Sequence, residues 1–90
     1  MALTNVFYYI PEDNEEPTQL NFFVIYKNIT DINLSDIKKC FPVPGDYHFR
    51  FQFLYQGQTV WLDLNNESGK LPQVDGLIIM KVLRKKWLDP

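Results

Sequence analysis

Ninety residues carrying 11 acidic and nine basic side chains, for a formal charge of −2 and a pI near 5.2, make one small domain with a single core. They exclude the basic face on which binding to a nucleic-acid backbone depends. The one cysteine, Cys40, permits no internal disulfide and reads as a small core residue of a protein in a reducing, cytoplasmic setting. Neither an apolar run of about 18 residues nor a basic start followed by an apolar stretch occurs, so the sequence predicts no membrane insertion and no secretion.

Asn5 to Ile10 is almost wholly apolar and aromatic, the pattern of a strand covered on both faces. Pro11 to Pro17 brings two prolines with Glu12, Asp13, Glu15 and Glu16, a composition that blocks strand pairing and solvates a loop. Gln19 to Tyr26 predicts a second strand with Leu20, Phe22, Val24 and Tyr26 on one face and Asn21, Phe23, Ile25 and Lys27 on the other. Both faces carry bulk, and Phe23 is expected to stand off the core. Asn33 or Ser35 caps a short helix whose apolar positions are Leu34, Ile37 and Phe41, with Asp36, Lys38 and Lys39 toward solvent. Pro42 and Pro44 end it.

From Tyr47 to Tyr55 every second residue is aromatic, as in a half-buried strand. Gln56-Gly57-Gln58 then turns the chain into a second alternating run, Thr59 to Leu64, and the two make a hairpin. Val60, Leu62 and Leu64 share one face, while Trp61 lies on the other with Thr59 and Asp63. Asn65 to Gly76 is a polar connector expected to pin Leu71 under itself, and Leu77 to Val82 reads as a buried central strand. The order β, β, α, β, β, β with apolar first and last strands is an α+β pattern. It matches a ubiquitin-like β-grasp: a mixed five-stranded sheet on one main helix, terminal strands parallel at its centre, strands two and four at its edges.

Chemistry is thinly supplied. His48 is the only histidine and reads as a surface residue, since catalysis needs partners within hydrogen-bond reach. One Cys and one His make no zinc site, the acidic run lacks calcium-loop spacing, and there is no glycine-rich phosphate loop. The reading assigns no catalytic residue, no cofactor and no metal. Asn28-Ile29-Thr30 matches a glycosylation acceptor only outside the secretory context it requires. The acidic loop and the basic end (Lys81, Arg84, Lys85, Lys86) read as solvated charge, or, as opposite clusters at separate sites, as complementary fields that steer association. Phe23 and Trp61 on edge strands read as interface anchors, unless a tail carrying Trp87 and Leu88 covers them.

The chain resembles a DIX domain, the module of the Dishevelled, Axin and Dixin proteins of Wnt signalling, over nearly its whole length, 1–90. The resemblance is carried by Val6-Phe7-Tyr8-Tyr9, Glu16-Pro17, Asn33 to Lys38, Tyr47 to Phe51, Thr59 to Leu64, Leu71-Pro72 and Gly76-Leu77-Ile78. Val60-Trp61 with Asp63-Leu64 is also similar to the plant SOSEKI polarity proteins. The resemblance implies self-association in which strand two of one copy pairs with strand four of the next, giving head-to-tail polymers that cluster cytoplasmic signalling or polarity scaffolds, with other DIX domains as further partners. On strand four the implied interface residues are Val60 and Trp61. On strand two they are Leu20 and Asn21 counted from Glu16-Pro17, or Phe23 and Val24 counted from Leu34. A PB1-like module pairing a basic with an acidic surface is the alternative on the same fold, and an enzyme or small-ligand protein is the third reading.

Overall fold

The computed structural model describes residues 2–85. Its elements are β1 (Thr4–Tyr9), a 3-10 turn (Pro11–Asp13), β2 (Asn21–Ile25), a second 3-10 turn (Ile29–Asp31), α1 (Leu34–Cys40), β3 (Tyr47–Tyr55), β4 (Gln58–Asp63) and β5 (Ile78–Arg84). The strands form one mixed sheet in the order β2-β1-β5-β3-β4. The terminal strands β1 and β5 run parallel, and every other pair is antiparallel. This is the α+β, ubiquitin-like architecture expected from the sequence, with β2 and β4 at the edges.

Local chemistry sets the joints. Gln56 and Gly57 both take positive φ, 49° and 79°, which makes the β3–β4 connection a type I′ turn whose twist suits a two-residue hairpin. Asn33 caps α1 reciprocally: its Oδ1 accepts from the Asp36 N–H at 3.0 Å, and Asp36 Oδ2 accepts from the Asn33 N–H at 3.1 Å. A helix of seven residues is too short to hold by propensity, so the capping box and the packing of Leu34 and Ile37 secure it.

The core lies between α1 and one face of the sheet. Val6 and Tyr8 of β1, Ile25 of β2, Tyr47, Phe49 and Phe51 of β3, and Ile78, Met80 and Val82 of β5 meet Leu34, Ile37 and Ile32 there. Leu71 is buried beneath its connector, as the sequence predicts. Phe41, at the end of α1, packs edge-on against Tyr8, Tyr47 and Phe49 with centroids 4.9 to 5.1 Å apart.

Three expectations are corrected. Cys40 is exposed, because Phe41 fills the space below the helix end. Asp36 is engaged by the capping box and by Lys27 at 3.0 Å. The acidic loop and the basic end are neighbours: Arg84 pairs with Asp13, and its N–H donates to Glu12 at 2.6 Å. Those charges tie the first 3-10 turn to β5 within the molecule. Lys86, Trp87 and Leu88 lie outside the described residues.

Candidate protein interface

The two sheet edges present backbone groups whose phase follows from the registers. A type I′ turn closes on a hydrogen-bonded flanking pair, here Tyr55 with Gln58. Antiparallel pairs alternate, so Gln58, Val60 and Leu62 address β3, leaving the N–H and C=O of Thr59, Trp61 and Asp63 on the open side. The even positions of β3 then address β5 through the Arg50–Lys81 and His48–Leu83 pairs. This leaves Ile78, Met80 and Val82 to bond β1. In a parallel ladder these bond the residues flanking their partners, so Asn5, Phe7 and Tyr9 face β5 while Thr4, Val6 and Tyr8 face β2. Their partners Ile25, Phe23 and Asn21 are thereby used up, and Phe22 and Val24 are left with outward N–H and C=O groups. Each edge offers a ladder that no strand among the described residues pairs, although the Trp61 carbonyl on β4 accepts a long contact, 3.5 Å, from Arg50 Nη2.

The side chains at these edges divide by face. Val60 is half-buried on the helix side of β4, opposite Phe53. Trp61 is on the other face, as the alternation predicts, and is half-buried there. Its ring leans inward to meet Tyr9 at 6.1 Å between centroids, and the Lys81 ammonium stands 4.6 Å above it. It braces the outer sheet face as well as marking the edge.

On β2 the expected orientation of Phe23 is corrected. Phe23 lies on the helix side, 5.9 Å from Tyr8 and 5.8 Å from Phe41 between centroids. Phe22 is the aromatic that stands off the core, 58% exposed, with Val24 half-buried beside it on the same face. Asn21 is exposed and donates to Glu15 at 2.8 Å, and Leu20 is half-buried just before the strand. The signal for Phe22 was its place on a face with Leu20, Val24 and Tyr26. What the alternation could not supply was which face turns inward, because Ile25 and Phe23 are as apolar as their neighbours.

Phe22 lies across from Phe7, Phe7 from Ile79, and Gln52 from Trp61. Continuing the β3–β5 register by one residue sets Gln52 across from Ile79. A mainly apolar row therefore crosses the outer face from one open edge to the other.

The DIX domain family model matches residues 3–82 of the 90-residue chain. The chain belongs to the DIX domain family. Among curated proteins, no match is found. DIX domains mediate association between proteins and are not an enzyme family.

Near its β4 edge this DIX domain carries one polar cluster. Asp63 Oδ1 accepts from Arg50 Nε at 3.1 Å and lies 2.7 Å from His48 Nε2. These contacts, that with His48 foremost, hold the Asp63 carboxyl below its ordinary range. His48 and Asp63 are exposed and Arg50 is half-buried, so the cluster shapes the local field more than it adds stability. A concavity of about 520 Å³ between the N-terminal segment, Asn28-Ile29 and Gly76-Leu77 is lined by no titratable side chain. Among the described residues, no group of three or more His, Cys, Asp or Glu is placed to hold a metal ion, and no helix is long and apolar enough to cross a membrane.

Proposed function

We propose that this DIX domain self-associates head to tail through β2 of one copy and β4 of the next, forming open polymers that cluster cytoplasmic signalling or polarity scaffolds of the Wnt type. The observation that supports this most is the pair of unlike open edges on opposite sides of one sheet. Within the molecule β4 runs antiparallel to β2, as follows from the pairings between them. A second copy in the same orientation beside β4 therefore offers its β2 as an antiparallel strand, with its helix on the same face. The sheet continues, and a fresh β4 edge appears at the far side.

Such a contact is heterologous and has no reason to close, so growth is open-ended. Weak single contacts then produce strong clustering, because a polymer holds attached partners at high local concentration. A different DIX domain with a compatible edge joins or caps the same chain of contacts.

The test is sedimentation velocity of the purified domain over a wide concentration range. The proposal expects a weight-average sedimentation coefficient that keeps rising with concentration. A plateau at one or two chains contradicts it.

A further inference from the structure

We infer that the head-to-tail contact, if the proposed function is right, is made in one register, with Phe22 of one copy directly across from Trp61 of the next and Val24 across from Thr59. The inference rests on that functional reading and adds to it the alignment of the two strands.

Three constraints select the register. In an antiparallel pair, opposite positions have a constant sum of residue numbers. Residues with outward backbone groups must face one another, Phe22 and Val24 on one strand and Thr59, Trp61 and Asp63 on the other, so that sum is odd. The faces impose the same rule, because Phe22 and Val24 share the outer face with Thr59, Trp61 and Asp63, and a one-residue slip would put every side chain on the wrong side. The two edges therefore match in backbone phase and in face together.

Among odd sums, length decides. A sum of 83 sets all of Asn21–Ile25 opposite Leu62 to Gln58, wholly within β4. A sum of 85 pushes Asn21 past the end of β4, and a sum of 81 runs Val24 into the turn at Gly57. The first register also places the most exposed aromatic of β2 beside the indole of β4, and Phe23 beside Val60 on the helix side. Trp61 lies beneath the Lys81 ammonium, and Phe22 stands exposed on its own edge. The mainly apolar row then continues from copy to copy.

Disulfide trapping reads the register directly. In a Cys40→Ser background, chains carrying Val24→Cys with Thr59→Cys are oxidised and run on a denaturing gel, beside chains carrying Tyr26→Cys with Thr59→Cys (sum 85) and Phe22→Cys with Thr59→Cys (sum 81). Within one molecule β2 and β4 are four strand spacings apart, about 19 Å, so any bond formed is between copies. Directly opposite positions lie within bonding range, while diagonal ones, about 7–8 Å apart, do not. The expected result is a ladder of covalent dimers, trimers and larger species from the Val24/Thr59 chain alone. A ladder from either other chain, or from none while the same proteins still sediment as growing polymers, overturns the register and leaves the functional reading standing. Chains that neither crosslink nor grow in sedimentation refute both.

Discussion

Phe22 and Trp61 differ in what each gives the isolated fold. Phe22 is exposed and touches chiefly Phe7, ring centroids 5.9 Å apart, so Phe22→Ser should lower unfolding free energy by less than about 1 kcal/mol. If it is an interface anchor, the same change should weaken self-association by about 2 kcal/mol, roughly thirtyfold. Trp61→Ala should cost both, since it removes the Tyr9 contact and the Lys81 cation–π contact, together worth about 1–2 kcal/mol. Urea unfolding and sedimentation on each variant separate the two effects. Equal losses of association and folding stability for Phe22→Ser would count against its role as an anchor. The outward position of Trp61 was legible because Val60, Leu62 and Leu64 leave it no other face. Phe22 was not, because β2 is apolar on both sides, and the choice falls to a tertiary contact: Phe23 completes a ring cluster with Tyr8 and Phe41.

At the scale of elements, α1 depends on its cap more than a longer helix would. Asn33→Ala should cost about 1 kcal/mol at neutral pH. The partner carboxyl, Asp36, is held below its ordinary pKa by the Lys27 ammonium first and the Asn33 N–H second. A depressed carboxyl stabilises the fold fully above its unfolded pKa, about 3.9, and that contribution drains away as pH falls through the lower folded value. Wild type should therefore lose stability below about pH 4, and Asp36→Ala, weaker from the start, should lose less across the same acid range. Urea titrations at neutral and acid pH would check both; an unchanged acid slope in Asp36→Ala would remove Asp36 from the account. A cap at Asn33 or Ser35 and the helical stops were readable from residue type; the choice of Asn33 rests on its reciprocal bonds with Asp36. The exposure of Cys40 was not, since it turns on Phe41 folding under the helix end, and the meeting of the acidic loop with Arg84 depends on a contact 71 residues apart in sequence.

For the molecule as a whole, the order of the strands was legible because continuous apolar runs mark β1 and β5 as central and leave β2 and β4 for the edges. The alternation within each strand was also legible. The phase of the open backbone groups was not, because it is fixed only when the β3–β4 turn, the β3–β5 pairing and the parallel β1–β5 ladder are counted through in sequence. That count makes the two edges complementary in kind while different in composition, which is the condition for a directional contact. Direction is the central claim, and mixing two singly blocked chains tests it most directly. Phe22→Asp damages the β2 edge, and Thr59→Pro removes an outward N–H from β4 without touching its ladder to β3. Each variant alone should be monomeric by light scattering at concentrations where wild type polymerises. Mixed, they should form a 1:1 heterodimer that grows no further, because one intact β4 meets one intact β2; a mixture of folded variants that stays monomeric would contradict the account.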